Sequence, residues 1–201
     1  MQTIAEGIQL CDVKKFEIGL SSLSASLDML KSTTEAKSSL SYLALFQSLI
    51  RESYGEKLLD NEHRRTIDEI KWRIEKDFIQ QALTLVESKM PTEIIRNNFL
   101  YCPELFDKGS SGTFIKTSER DHLEEKDSPK KPWEPRTYCI YEQKKARTEI
   151  NVLVRLHMQL KQIRNDTNHA GNKDRFDINI IRNALKIYVE LYEAILQKLS
   201  H

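Results

Sequence analysis

Ile150-Asn151-Val152-Leu153-Val154-Arg155-Leu156-His157-Met158-Gln159-Leu160-Lys161-Gln162-Ile163-Arg164-Asn165-Asp166-Thr167-Asn168-His169 is the stretch that decides the fold. Ile150, Leu153, Val154, Leu156, Leu160 and Ile163 recur at steps of three and four, which puts them on one stripe of an α-helix. The pattern predicts an amphipathic helix from about residue 142 to residue 169, with Gly171 able to end it in the left-handed conformation.

The same spacing recurs on both sides. Downstream, Ile181, Ala184, Leu185, Tyr188, Leu191, Tyr192, Ile195 and Leu199 predict a further helix, with Asp177 as its N-cap. Upstream, Ile67, Ile70, Ile74 and Phe78 form one row, and Ile79, Leu83, Val86 and Met90 an adjacent one. Together they predict a wide buried face on a single helix that ends before Pro91. Two weaker helices fall at about 13–30 (Phe16, Leu20, Leu23, Leu27, Leu30) and 35–59 (Leu40, Leu43, Phe46, Ile50). Strand-like alternation is missing and there is no internal repeat. The expected fold class is all-α, an up-and-down helical bundle forming a single domain over 1–201.

One stretch interrupts the helical pattern. Residues 103–136 hold Pro103, Pro129, Pro132 and Pro135, the run Gly109-Ser110-Ser111-Gly112, and the charged run 118–127. This composition predicts an exposed insertion or long loop before the 142–169 helix, with room for a short helix at 119–126. Trp133 is expected to pin it to the body.

Composition narrows the function classes. Of 201 residues, 31 are Lys or Arg and 30 Asp or Glu, for a net charge of +1. That balance argues against a broad basic coat for nucleic acid, while leaving room for a local basic site. The three cysteines, Cys11, Cys102 and Cys139, are far apart and show no ligand spacing, so a disulfide framework or structural zinc is not expected. Cys139 has no base within readable spacing, so it is not read as a nucleophile. The N-terminal residues lack a signal-like basic flank and apolar run, and no segment is apolar enough to span a bilayer. A protein of the cytoplasm, without a membrane partner, is expected.

The chemistry concentrates in residues 164–169. Arg164 follows Leu160 by four and Leu153 by eleven, so a guanidinium continues an apolar row. Such a charge must pair, reach a solvated groove or face a partner. His169 lies five residues on, about 7.5 Å along the helix and about 140° around it, so the two side chains do not meet in one straight helix. Asn165 shares a face with His169, and Asn168 with Arg164. Asn165 is therefore placed to orient the imidazole and Asn168 to steady the guanidinium. The helix dipole at the C-terminus favours imidazolium while the nearby Arg opposes it. Lys173 and Arg175 follow and are candidates for holding RNA backbone, with a solvated loop as the plain alternative.

Arg164, Asn165 and His169 resemble the Arg-x4–6-His motif of the HEPN superfamily, in the form with Asn directly after Arg. The resemblance implies a motif late in a core helix of an α-bundle. It also implies two protomers that bring their motifs together into one RNA-cleaving site with no metal and no cofactor. A second stretch, Phe78-Ile79-Gln80-Gln81-Ala82-Leu83-Thr84-Leu85-Val86-Glu87-Ser88-Lys89-Met90-Pro91, expected to follow Trp72 on one helix, is similar to the HEPN region of the CRISPR-associated CARF–HEPN ribonucleases of type III systems. Those proteins carry an N-terminal α/β CARF domain that senses cyclic oligoadenylate through an Asp-x-Thr-His-Gly-type motif. No such domain is readable here, so this chain is expected to be either a shortened form lacking its sensor or a stand-alone HEPN protein.

The resemblance assigns Arg164 to the phosphate and His169 to acid/base or positioning work, with Asn165 orienting His169 or touching the phosphate and Asn168, Lys173 and Arg175 on the substrate side. It implies single-stranded RNA as substrate and a homodimer as the active form. A HEPN toxin held by a cognate antitoxin and a non-catalytic helical dimer are the alternatives.

The remaining polar and aromatic residues are read as structural. His157 is expected on the helix surface or at a seam rather than as a ligand. His63-Arg64-Arg65 is read as a solvated basic turn with RNA contact as the alternative. Tyr138, Tyr141, Tyr188 and Tyr192 are read as core or rim packing rather than base-stacking platforms.

Overall fold

The computed structural model describes residues 2–36, 41–101, 141–168 and 177–200. The segment 103–136, with Trp133 and the short helix expected at 119–126, lies outside them, as do Cys102, Tyr138, Cys139 and Gly171. The fold is all-α. The chain divides into two compact units, residues 1–76 and 77–201, and each is described by itself. Among the described residues, no helix is long and apolar enough to cross a membrane.

Unit 1 contains α1 (Gln2–Gln9), α2 (Val13–Ala36), α3 (Ser41–Tyr54), α4 (Glu56–Leu59) and α5 (Thr66–Glu75). α1 was not foreseen. It ends where Cys11 takes φ 51°, with Asp12 N–H donating to Gly7 O at 2.9 Å and Cys11 N–H to Ile8 O at 3.3 Å. This is the paired closure of a left-handed helix end. Asp12 then caps α2 by accepting the Lys15 N–H at 3.0 Å. The two helices pack closely because of two glycines. A Cβ on Gly7 would lie 2.6 Å from Phe16 N, and one on Gly19 2.6 Å from Ile4 Cγ1.

The predicted α2 row is buried at Phe16, Leu20, Leu23 and Leu27, α2 packs on α4, and Leu58, Leu59, Ile67, Ile70 and Ile74 are buried in the same unit. Trp72 packs between Phe16 (centroids 5.3 Å) and Tyr54 (5.4 Å, planes 11° apart), and its indole N–H donates to Ser53 O at 3.0 Å. The helix predicted over 35–59 breaks at Gly55, where φ is 80° and separates α3 from α4.

The larger correction concerns the helix expected to carry Trp72 and Phe78–Met90 together. It is two helices, α5 and α6 (Ile79–Ser88), parted at Asp77, which has φ 63°. Left-handed backbone at a non-glycine residue ends the α5 hydrogen-bond run, and the boundary between the two units falls at the same place.

Unit 2 continues with α7 (Met90–Arg96), β1 (Leu100–Tyr101), β2 (Tyr141–Glu142), a 3-10 turn (Lys144–Ala146), α8 (Arg147–Asn168) and α9 (Ile178–Ser200). Pro91 stands in the first turn of α7, where its missing N–H leaves no helix bond unmade. Asn98 (φ 56°) ends α7 and turns Phe99 inward against Tyr192, with centroids 5.0 Å apart. β1 and β2 pair antiparallel, Leu100 with Glu142 and Tyr101 with Tyr141, so the residues flanking 102–140 stand side by side. α6, α8 and α9 pack on one another. Their core is Leu83, Val86, Met90, Ile150, Leu153, Val154, Leu160, Ile181, Leu185 and Ile195, which are the predicted apolar rows. Asp177 caps α9 as predicted, accepting the Asn179 N–H at 2.8 Å.

Candidate functional site

α8 ends at Asn168, and Arg164 sits one turn before that end. The row Leu153, His157, Leu160, Arg164 turns inward, so the guanidinium is carried to the face of α8 that packs on α6. There it meets Glu87. Arg164 Nη1 donates to Glu87 Oε2 at 2.9 Å. The same Nη1 approaches Asn165 Oδ1 at 3.4 Å. Glu87 is buried, while about 29% of the Arg164 side chain is exposed. Arg164 Nε is buried with no hydrogen-bond partner among the described residues.

One turn further along, Thr167 ties the helices again. Its Oγ1 lies 2.9 Å from Arg164 O and 3.3 Å from Gln80 Oε1, and its single hydroxyl proton serves one acceptor at a time. Gln80 and Glu87 are seven residues apart, two turns on one face of α6. The resulting seam is polar where both helices are otherwise apolar.

Asn165 was read as the orienter of His169, which lies outside the described residues; its side-chain oxygen accepts from Arg164. Asn168 closes α8, but its side chain lies outside the described residues, as do His169, Lys173 and Arg175. Of the predicted set, then, Arg164 and Asn165 are placed together, and Glu87, Gln80 and Thr167 join them from outside it.

Glu87 had a readable signal. It follows Leu83 by four and precedes Met90 by three, so it interrupts an apolar row as Arg164 does. Two opposite charges that each break an apolar row are natural partners, because neither is stable alone in the interior.

His157, expected on the helix surface or at a seam, is buried in unit 2, so the surface alternative does not hold. Its Nδ1 lies 3.4 Å from the Tyr188 hydroxyl. Tyr188 is fully buried, and burial, followed by the neighbouring Tyr192, pushes its hydroxyl well above the ordinary 10.0. Tyr188 and Tyr192 are core residues, in line with packing rather than base stacking.

The basic turn at 63–65 is held by local partners in unit 1. His63 pairs with Asp60 at 3.0 Å, Arg64 donates to Leu58 O at 2.6 Å and to Asn61 at 2.8 Å, and Arg65 grips both Asp68 oxygens at 2.8 and 2.9 Å. Its guanidinium groups serve the turn itself.

The half-exposed guanidinium of Arg164 is suited to binding an oxyanion. Both contacts recorded for it among the described residues run through Nη1. With Nε buried, the exposed part of the guanidinium is the side that an oxyanion can reach. Comparison with protein-family models, with curated proteins and with solved structures finds no match for this chain.

Proposed function

We propose that this protein is a metal-independent endoribonuclease of the HEPN type, serving a prokaryotic CRISPR or other defence system and cutting single-stranded RNA. The observation that carries the reading is Arg164. It is a cation inside an apolar row, anchored by a buried carboxylate, part-exposed, and one turn from the helix end that leads into His169. A part-exposed cation held at its base by a carboxylate is placed to bind an anion.

The reaction needs three things. The substrate's 2′-hydroxyl attacks the adjacent phosphorus while a base takes its proton. The bond from phosphorus to the 5′-oxygen breaks as an acid protonates that leaving oxygen. Positive charge offsets the charge gathering on the phosphoryl oxygens. In this reading His169 from each of two protomers supplies the base and the acid, and Arg164 supplies the charge. With one motif histidine per chain, two protomers are needed to supply both base and acid. The products are a 2′,3′-cyclic phosphate and a 5′-hydroxyl. Asn165, in contact with Arg164, helps hold the guanidinium in place. The near-zero net charge provides little non-specific RNA affinity, so basal turnover is expected to be low until the dimer forms.

A second reading has one observation in its favour. The Glu87–Arg164 pair also pins α8 to α6, as it would in a non-catalytic helical dimer. Cleavage of a labelled single-stranded RNA in excess EDTA separates the two. The first reading expects cleavage by the wild type and none by His169→Ala of equal helicity. Undiminished cleavage by His169→Ala, or loss of cleavage on adding EDTA, overturns it.

A further inference from the structure

We propose that Glu87 is a positioning residue of this site: it orients the Arg164 guanidinium so that its exposed part faces the scissile phosphate. The inference rests on the ribonuclease reading and extends it to a residue on a second helix.

Glu87 is an expensive residue at its position. It is buried, as are its neighbours in sequence Leu83 and Val86 on α6 and Met90 at the start of α7. An ionised carboxylate taken out of water costs several kcal/mol unless it is compensated, and replacing a buried ion pair with apolar side chains is often neutral or stabilising. Stability alone therefore gives no reason for a Glu here. The compensation it finds is Arg164 Nη1 at 2.9 Å, with a geometry that a surface ion pair does not enforce.

The anchoring is directional. Glu87 and Asn165 both take Nη1, which fixes one corner of a planar group. Thr167 adds a hydrogen bond to the backbone oxygen of Arg164 and so stiffens the turn from which the side chain springs. Burial around Nε restricts rotation about the end of the chain, and that donor has no acceptor among the described residues. Glu87 also offsets part of the local charge, which limits non-specific attraction of RNA and reserves the exposed donors for a phosphate.

The test uses the full chain with Glu87→Gln, which keeps shape and one acceptor but loses charge, and Glu87→Leu, which keeps bulk and loses both. Cleavage of a single-stranded RNA is followed at varied substrate concentration, beside Arg164→Ala and with melting temperature measured for every variant. We expect kcat, read at a temperature where every variant is folded, to fall about 10-fold in Glu87→Gln and about 100-fold in Glu87→Leu, with KM within about threefold of wild type and a lower melting temperature in Glu87→Leu, which leaves Arg164 without that partner. The partial retention in Gln is the signature of orientation. Wild-type kcat in both variants overturns the inference while Arg164→Ala remains inactive and the ribonuclease reading stands. A kcat loss that follows the loss of melting temperature and recovers on cooling also overturns it, by making Glu87 structural. Equal cleavage by wild type and Arg164→Ala overturns the ribonuclease reading, and the inference with it.

Discussion

Glu69 and Arg73 lie one turn apart on α5 in unit 1, with Nη1 and Oε2 at 3.0 Å and side chains only 4% and 2% exposed. Glu87 and Arg164 form the corresponding pair in unit 2, at 2.9 Å, with the carboxylate 7% and the guanidinium 29% exposed. The chemistry is the same, and each pair leaves a buried Nε without a hydrogen-bond partner among the described residues. The difference lies in what the cation faces. Arg73 packs over the Phe16 ring, its carbon 4.3 Å from the centroid, and is closed off on all sides. Arg164 stays part-exposed. A closed pair can only hold a fold together, whereas a pair with an open cation can bind.

The largest expected effect breaks this comparison if it fails. Arg164→Ala should lower RNA cleavage by at least about 100-fold, the usual result of removing a preorganised charge at a developing oxyanion. Arg73→Ala should change cleavage only as far as it unfolds the protein, measured at matched fractions of folded chain.

Next in size is stability. Removing one partner of the closed pair, as in Glu69→Ala, strands a buried charge and should cost about 3–5 kcal/mol in chemical denaturation. Replacing both, as in Glu69→Met with Arg73→Leu, should be neutral or stabilising. Glu87→Ala should cost less, since Arg164 can turn its head to water.

The pH dependence of the closed pair sharpens the point. Burial, opposed by Arg73, holds the Glu69 carboxyl above its ordinary 4.5. A raised carboxyl pKa means the folded state favours the protonated form, so its contribution is present below pH 4.5 and is lost as pH rises through the raised value. Glu69→Gln should therefore gain stability relative to wild type as pH rises from 4 toward neutrality, measured by denaturation midpoints.

Smallest is the buried Tyr188. Unfolded tyrosine ionises near 10.0, while the folded hydroxyl titrates well above it, so wild-type stability should fall as pH rises past 10. Tyr188→Phe should flatten that limb, at a cost of about 1 kcal/mol near neutral pH for the lost contact with His157.

The helical rows were legible because apolar spacing is a direct consequence of helix geometry. Phe16, Leu20, Leu23 and Leu27 in unit 1, and Ile150, Leu153, Val154 and Leu160 in unit 2, are buried as their spacing predicts. The break at Asp77 was not legible. Its residue type is permitted in the left-handed region but does not demand it, and the apolar rows run across it without interruption. The end of α1 at Cys11 was hidden for the same reason. Arg164 was legible as a charge in an apolar row. Glu87 carried the same mark, but its meaning depended on which helix packs on which, and periodicity does not contain that information. The contact of Asn165 with Arg164 was not legible, because helix spacing alone does not show where a long, flexible Arg side chain reaches.

The central claim is that Arg164 belongs to an RNA-cleaving site. The most direct measurement is cleavage of a 5′-labelled single-stranded RNA in excess EDTA, at protein concentrations high enough to form dimers. It compares wild type with Arg164→Ala and all-RNA with all-2′-deoxy substrate. The account predicts that wild type cuts RNA to fragments ending in 2′,3′-cyclic phosphate and leaves the deoxy strand intact. It predicts that Arg164→Ala, equally helical and equally dimeric, cuts neither. Cleavage of the deoxy strand, or equal RNA cleavage by the two proteins, would contradict it.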